Sequence, residues 1–255
     1  MAKLDEIVNF CDQLLDAQSF EDYCPNGLQV PGRDEVATIV SGVSASLELF
    51  ERAAELNADL ILAHHGVIWG RTPTVIDRAA KRRLELLFGQ DCSLLAYHLP
   101  LDGHAEIGNN ALIATELGCE RQQPFGQLGS KTIGVAGFFA GGGGLTITEL
   151  ATRVAAACGE REPLVFDGGP EQIQSVAIVS GAGSSYLDAA ITAGYDAFIT
   201  GEPAERVMNE SREGEIHFIA AGHYATETLG VQRLGETIAE RFGVSHQFID
   251  VPNPI

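Results

Sequence analysis

Two histidines of the chain are each followed by a carboxylate at the same spacing, at the end of an apolar stretch. His98 precedes Asp102 by four residues, and His223 precedes Glu227 by four residues. Imidazole nitrogens and carboxylate oxygens suit zinc, iron, manganese, cobalt and nickel as ligands. The carboxyl ends of parallel strands are where ligands collect in α/β sheets. The spacing therefore predicts a metal site, and the sequence does not choose among these metals.

The adjacent histidines His64 and His65 end another apolar stretch, directly before Gly66. Neighbours in a regular strand point to opposite faces, so both rings reach one site only if the strand has ended, which the glycine favours. With the two spaced pairs, up to six ligand groups are available, whereas one catalytic zinc takes three protein ligands. The count predicts two divalent metal ions per subunit, roughly 3.5–4 Å apart and bridged by a carboxylate.

The two spaced pairs differ in their predicted local structure. Residues 222–243 carry apolar side chains at helical spacing, so His223 and Glu227 would share one helical face. Pro100 lies between the other two partners, and proline disfavours a helix interior and extends the residue before it. We therefore expect the side chains of His98 and Asp102 to meet around a loop.

The elements that position these residues occur twice along the chain. Residues 39–65 and 178–202 each begin with an apolar strand that ends in Ser-Gly. A helix with apolar residues at 3.6-residue spacing and a second apolar strand follow. The fold class is therefore α/β, with two similar lobes from an internal duplication. We predict a first lobe at 1–121 and a second at 122–255, whose first and last segments are free to cross over.

The remaining segments are predicted to form two helices, a glycine-rich connection and a last strand. The first residues, 4–15, have the apolar spacing of an amphipathic helix, and residues 146–158 have the caps and spacing of another. A connection from about 122 to 169 contains four consecutive glycines, Gly141–Gly144, which cannot hold regular structure. A last strand is expected near residues 247–251.

Other candidate residues keep two interpretations each. Glu202 occupies the position that His65 holds in the first copy, and it either lines the site or forms a salt bridge or cap. Residues 180–185 follow a strand and open a helix, so they form either a tight turn or an amide cradle for an anion such as phosphate. Trp69 stacks on a ligand ring or covers the core. Three further histidines have no such neighbours and are interpreted as structural: His104, His217 and His246. For His104, a supporting position behind Asp102 is the alternative.

Composition excludes several classes of protein. Hydrophobic residues make up 45% of the 255 residues and charged residues 20%, which is typical of globular chains. Sixteen basic residues against 35 acidic ones give a net charge of −19, which repels nucleic acid and anionic membranes. No stretch approaches the roughly 20 apolar residues of a membrane span. Five cysteines without a C-x-x-C pair fit a reducing compartment, so we expect a soluble, cytoplasmic protein.

Several short motifs, spread over essentially the whole chain, resemble those of a known family. They are Tyr23–Val30, Ala63–Gly66, His98–Asp102, Gly108–Asn110, Ala197–Glu202, Gly222–Glu227 and Phe248–Pro254. The chain resembles the Nif-three-like dinuclear metal-centre proteins, often named GTP cyclohydrolase type 2 homologues, in a short bacterial form without the inserted domain. The resemblance implies two lobes that face a central metal-binding cleft, and a ring-shaped homohexamer with the sites facing its interior.

The resemblance also implies which residues hold the metal ions. The implied ligands, with His98 beside them, are His64, His65, Asp102, His223 and Glu227. The leading hypothesis is a dinuclear metal-dependent hydrolase acting on a small nucleotide-like or heterocyclic substrate, by GTP cyclohydrolase-type ring opening or by phosphoester hydrolysis. Asp102 or Glu227 would bridge the ions, while His98 or Glu202 would shuttle protons. The alternative is a metal-binding adaptor or metal-insertion chaperone without turnover; ions that are purely structural are a third hypothesis.

Overall fold

A computed structural model of the chain describes residues 1–70, 75–140 and 144–255. Contacts divide the chain into two compact units, of which unit 1 comprises residues 1–101 and 230–251 and unit 2 comprises 102–229 and 252–255. Each unit combines helices with a mixed sheet, which confirms the predicted α/β class. Gly141–Gly143, three residues of the predicted glycine-rich connection, lie outside the described residues.

The helices and strands are named in chain order. The α-helices of the described residues are α1 (Leu4–Leu14), α2 (Leu47–Glu55), α3 (Arg78–Gln90), α4 (Leu99–Asp102), α5 (Asn109–Glu116), α6 (Ile147–Ala157), α7 (Leu187–Ala193), α8 (Val207–Glu213) and α9 (Thr228–Phe242). The strands are β1 (Ala2–Lys3), β2 (Gly27–Val30), β3 (Glu35–Val36), β4 (Thr38–Ser44), β5 (Leu60–His65), β6 (Ser93–Ala96), β7 (Arg121–Leu128), β8 (Lys131–Phe138), β9 (Leu164–Phe166), β10 (Ser175–Val179), β11 (Ala197–Thr200), β12 (His217–Ala220) and β13 (Ser245–Phe248). Short 3-10 turns occur at Ala17–Ser19, Gly183–Tyr186 and Ala225–Glu227.

The main sheet of unit 1 has the strand order β13-β4-β5-β6-β2, in which the first four strands are parallel and β2 is an antiparallel edge. The predicted strand–helix–strand segment is confirmed as β4, α2 and β5. Ser46 begins α2 by accepting a hydrogen bond from the Leu49 amide at 3.2 Å. Phe50 of this helix packs in one buried cluster with Ile61 and Leu94. Parallel strands covered in this way are apolar along most of their length.

The sheet of unit 2 has the order β7-β8-β10-β11-β12-β9, with β10, β11 and β12 parallel. The second predicted strand–helix–strand segment is confirmed, although a 3-10 turn precedes α7. Helix α6 begins at a reciprocal cap between Thr146 and Glu149. Its Leu150 packs in the same buried cluster as Ile178 and Ile199, which fixes the parallel strands that carry the polar residues described below.

The predicted connection at residues 122–169 contains two long strands that the periodicity did not indicate. β7 and β8 pair antiparallel through a turn at Gly129, whose φ of +58° suits glycine. Pro124 and Gly126 interrupt the apolar pattern of β7, and both are tolerated because β7 is the edge strand. The Leu-Gly-Ser-Lys sequence of the turn was the available hairpin signal.

The compact units do not coincide with the predicted lobes, because the predicted boundary at residue 121 falls at the start of β7, within unit 2. Ile113 and Leu117 of the segment around α5 pack into the core of unit 2. The last strand, at Ser245–Phe248 rather than residues 247–251, pairs with β4 in unit 1. Periodicity identifies a helix or a strand, but it does not identify the sheet that the element joins.

Among the described residues, no helix combines the length and the apolar composition needed to cross a membrane.

Candidate metal centre

Three histidines of unit 1 lie together at the carboxyl ends of two neighbouring parallel strands. His64 and His65 are the last residues of β5, and His98 follows the end of β6. Ring nitrogens of the three lie within 4.8 Å of one another. The rings of His64 and His65 are 4.8 Å apart although both residues belong to the strand, so the expectation that the strand ends before them is wrong. Three imidazoles this close favour a shared cation.

Hydrogen bonds fix the orientation of these rings. His64 is fully buried, and its Nδ1 donates to the Tyr97 carbonyl oxygen at 3.0 Å. His98 Nδ1 lies 2.8 Å from Asp22 Oδ1, and His65 Nδ1 lies 3.1 Å from Ser44 Oγ. A carbonyl or carboxylate acceptor at Nδ1 puts the proton there and leaves the lone pair at Nε2, as in many metal-binding histidines. Nε2 is therefore the nitrogen with which His64 and His98 could bind a metal ion or accept a proton.

Asp22 is a site residue that sequence reasoning missed. Its side chain is 2% exposed and accepts hydrogen bonds from the Leu99 amide at 2.9 Å and the Cys24 amide at 3.1 Å, besides the one from His98. Asn26 completes the arrangement, because its Nδ2 donates to Asp22 and its Oδ1 accepts from the His98 amide at 2.8 Å. This network ties the loop before β2 to the end of β6.

The same network sets the charge of the Asp22 carboxyl. Burial raises its pKa, but the hydrogen bonds from His98, Asn26 and the Cys24 amide, together with the charge of His98, outweigh burial and lower the pKa to about 2. The carboxylate is therefore ionised across the neutral range and holds the His98 proton on Nδ1. The available signal in the sequence was the position of Asp22 directly before the motif at Tyr23–Val30.

The segment between His98 and Asp102 is helical, so the prediction of a loop is wrong. Helix α4 spans Leu99–Asp102, and the Leu101 amide donates to the His98 carbonyl oxygen at 2.9 Å. Pro100 lies in the first turn, where its missing N–H has no partner to lose and its fixed φ suits the helix. The helix therefore starts at the residue before the proline and ends at the predicted ligand.

Two carboxylates of unit 2 approach each other in a buried position. Asp102 is 6% exposed and Glu227 is 2% exposed, and a carboxylate oxygen of one lies within 4.8 Å of an oxygen of the other. Asp102 Oδ1 accepts from Asn109 Nδ2 at 2.8 Å and from Ser180 Oγ at 3.1 Å, and both donors are neutral. Two buried negative charges this close repel each other, so the arrangement favours a cation.

His223 stands beside the same carboxylates. Its Nε2 lies 3.2 Å from Glu227 Oε2, and its Nδ1 donates to Glu202 Oε1. The predicted pairing of His223 with Glu227 on one face is confirmed, although a 3-10 turn at Ala225–Glu227 makes it before α9 begins. Burial lowers the pKa of His223, but the hydrogen bonds and charges of Glu227 and Glu202 outweigh burial and raise it to about 9. A metal ion at Nε2 would take the place of this proton.

The loop at residues 180–185 lies beside Glu227 and hydrogen-bonds to Asp102 through Ser180. Gly181 has a φ of +62°, and a Cβ at this position would collide with Glu227 Oε1. Its amide donates to Thr226 Oγ1 at 3.0 Å, and its carbonyl oxygen accepts from the Glu202 amide at 2.9 Å. The geometry matches a tight turn. An anion here would meet the charge of Glu227, which disfavours the phosphate cradle.

The three histidines interpreted as structural hydrogen-bond to groups outside the candidate ligand set. His104 Nδ1 accepts from the Ile107 amide at 3.2 Å in a turn after α4. His217 Nε2 lies 2.9 Å from the Pro170 carbonyl oxygen. His246 Nε2 lies 2.7 Å from Ser41 Oγ, across the pair of strands β13 and β4. Each of these bonds holds backbone or a strand pair in place.

Comparison with known proteins gives matches along nearly the entire chain. A family model described as Duf34/NIF3 (NGG1p interacting factor 3) matches residues 2–254. A relative from Pseudomonas aeruginosa named GTP cyclohydrolase 1 type 2 homolog is 46% identical over 252 residues, which is 98% of each chain. A solved structure of protein ybgI, described as of unknown function, has 40% identity and a TM-score of 0.92. TTHA1606 from Thermus thermophilus has 36% identity and a TM-score of 0.91. Each of these two structural matches covers 100% of this chain and 100% of the solved chain.

Proposed function

The chain belongs to the Duf34/NIF3 family, and we propose that it is a hydrolase that uses two divalent metal ions and acts on a small nucleotide-like or heterocyclic substrate. The observation that carries the proposal is the approach of two buried carboxylates, Asp102 and Glu227, to within 4.8 Å. Such a pair is stable when a cation shares it. The name of the Pseudomonas aeruginosa relative supports a GTP cyclohydrolase-type ring opening as the candidate reaction.

The proposed metal ligands are three imidazoles and two carboxylates. They are His64, His65, Asp102, His223 and Glu227. Support comes from the tautomer of His64, which presents Nε2, and from the burial of three of the five side chains. The mixed nitrogen and oxygen donors fit zinc, iron, manganese, cobalt or nickel.

The chemistry follows from these groups and their neighbours. Two divalent ions, when bound, would lower the pKa of water to near neutral pH. They would also stabilise the negative charge that develops on the attacked group. We assign proton transfer to His98, because Asp22 pins its Nδ1 and leaves Nε2 to accept and return a proton. Glu202 orients His223 through its hydrogen bond, and with a side chain 38% exposed it exchanges protons with solvent.

Metal content tests the ligand set. We expect His64→Ala, Asp102→Asn and Glu227→Gln each to lower the bound metal from about two ions per subunit, since each removes a donor from a shared centre. Elemental analysis of purified protein measures this directly. His246→Gln is the matched control, because this histidine hydrogen-bonds to Ser41 and is not among the proposed ligands. The variant should keep the wild-type metal content. Unchanged stoichiometry in all three ligand variants would contradict the proposal.

Turnover separates the hydrolase from the metal-binding adaptor. We expect metal-dependent activity within a panel of GTP, other nucleotides and phosphodiesters, abolished by a chelator and lowered about 100-fold or more by His98→Gln. Metal that exchanges with mild chelators and no turnover on the whole panel would favour an adaptor or a metal-insertion chaperone.

We also propose a cytoplasmic homohexamer. The absence of disulfides among the five cysteines supports a reducing compartment. Sedimentation velocity tests the assembly, and a monomer at micromolar concentration would contradict it.

A further inference from the structure

Trp69, the single tryptophan of the sequence, presents its ring beside the histidine group of unit 1. Its ring centroid lies 5.6 Å from that of His65 and 5.2 Å from that of His98. The indole Nε1 donates to the Gly66 carbonyl oxygen at 3.0 Å, so its polar atom is already satisfied. The residue is nevertheless 43% exposed. A large aromatic side chain held in this way offers a flat apolar surface to a ligand.

The loop that carries Trp69 is fixed in position by Gln29 of β2. Its Oε1 accepts from the Val67 amide at 2.9 Å and from the Ile68 amide at 3.3 Å, while its Nε2 donates to the Pro25 carbonyl oxygen at 2.8 Å. A side chain at Gly66 would collide with this glutamine. The indole is thus preorganised by the sheet, which lowers the entropic cost of binding a ligand to it.

Trp69 forms part of the wall of a cavity of about 720 Å³ within unit 1. Ile68, Ile76, Leu84 and Phe88 are among the apolar residues of its wall. Ile76 is 67% exposed and Phe88 64% exposed, which is unusual for side chains of this size. The volume lies within the range of roughly 300–1,000 Å³ that small-molecule sites occupy. The cavity therefore has the size and the lining of a site for one flat, partly apolar molecule.

Two charged residues, Arg83 of α3 and Asp77, line the same cavity in this strongly acidic protein. The Asp77 carboxylate accepts a hydrogen bond from the Ala80 amide at 2.7 Å, so its charge lies at the N-terminus of α3. Residues 78–83 contain four of the sixteen cationic residues of the whole chain, so this helix is locally positive. A ligand with an anionic group is favoured here over most of the molecular surface.

We propose that this cavity binds a nucleotide, with its heterocyclic ring stacked on the indole of Trp69 and its phosphate directed at Arg83. The proposal rests on the proposed function and deepens it, because the indole that would stack on the substrate ring lies beside His65 and His98. A second copy of the chain covering the same apolar wall is the competing occupant. The concave shape, the exposed indole of Trp69 and the guanidinium of Arg83 favour the nucleotide.

The single tryptophan makes binding directly measurable. We expect GMP to quench the fluorescence of Trp69 saturably when the protein is excited at a wavelength that guanine absorbs weakly. Guanosine, which lacks the phosphate, should bind more weakly, and ribose 5-phosphate, which lacks the ring, should not quench. The titration is made on chelated protein, so that binding is read without metal or turnover.

Variants assign the contacts, with affinities measured by calorimetry. Trp69→Leu should weaken GMP binding roughly tenfold or more, while Trp69→Phe keeps a stacking surface and should stay within about threefold of wild type. Arg83→Ala should weaken GMP binding about tenfold and guanosine binding little. Arg82→Ala is the matched control, because this arginine does not line the cavity, and it should bind GMP like wild type.

Three results would overturn the inference. They are no saturable quenching by GMP, equal quenching by ribose 5-phosphate, and wild-type affinity in Trp69→Leu. A change of sedimentation coefficient in Trp69→Leu without any nucleotide binding to wild type would assign the cavity to a subunit interface instead. The titration uses chelated protein, so it is independent of the metal stoichiometry test of the hydrolase. Absence of GMP binding would not change the result of the stoichiometry test, and a failed stoichiometry test would not change the measured GMP binding.

Discussion

Hydrogen bonds at Nδ1 decide how individual histidines present their second nitrogen. His64 donates to a backbone carbonyl oxygen, His98 to Asp22 and His223 to Glu202. In all three the acceptor holds the proton on Nδ1, so Nε2 is the atom available for coordination or proton transfer. Residue types alone showed that imidazoles were present, and these acceptors show which nitrogen of each ring faces the neighbouring hydrogen-bond partner.

The buried carboxylate of Asp22 contributes to the stability of the folded protein. Its pKa falls from 3.8 to about 2 on folding, so the ionised carboxylate stabilises the folded state above about pH 4. This contribution is lost as the pH falls from about 4 towards 2, where the folded protein also takes up the proton. The shift corresponds to about 2 kcal/mol. We expect Asp22→Asn to lower the free energy of unfolding by about that amount at neutral pH.

Urea unfolding of the chelated protein, at neutral pH and near pH 3, measures this difference. It should shrink at the lower pH. Glu51→Gln on the exposed face of α2 makes the same carboxylate-to-amide change and should be neutral within about 0.5 kcal/mol. An Asp22→Asn protein as stable as wild type at neutral pH would show that the network around His98 adds no stability.

Parallel strands deliver the candidate ligands as elements rather than as single residues. In unit 1, His64 and His65 end β5 and His98 follows β6. In unit 2, the loop at Ser180 follows β10, Glu202 follows β11 and His223 follows β12. The carboxyl ends of neighbouring parallel strands lie at one edge of a sheet, so residues distant in sequence become neighbours there. Each sheet thus gathers its own group of polar side chains.

Helix α9 tests how closely the elements of unit 1 are packed. A Cβ at Gly235 would collide with the ring of His246 in β13. We expect Gly235→Ala to destabilise the protein by about 1–3 kcal/mol, because the ring is also held by Ser41 and cannot simply move away. Thermal or urea unfolding measures the loss, and adding His246→Ala should recover part of it.

Gly89 of α3 is the control for Gly235, because an alanine at position 89 has room for its side chain. A Cβ there meets nothing within 4 Å, so Gly89→Ala should stabilise by up to about 1 kcal/mol through helix propensity. Equal effects of the two alanines would mean that contact with His246 does not limit position 235.

Charge acts at the scale of the whole molecule. The net charge of −19 repels itself in the folded state. Ion pairs such as Lys3–Glu35 and Lys81–Glu85 have side chains at least half exposed and offset little of it. We therefore expect Tm to rise when KCl is increased from about 0.05 M to 0.5 M, by about 2–4 °C for each kcal/mol gained. A fall in Tm would show that attractive pairs dominate, and a scan in chelator excludes a metal effect.

The α/β class, both strand–helix–strand segments and the residues at the strand ends could be predicted from the amino-acid sequence. These features depend on local periodicity and on residue chemistry, which short stretches encode. Only the tertiary structure decided that Asp22 orients His98 from 76 residues away, that α5 packs in unit 2, and that β13 returns to β4. Such pairings depend on which buried surfaces fit together across the chain, and no local pattern contains that information.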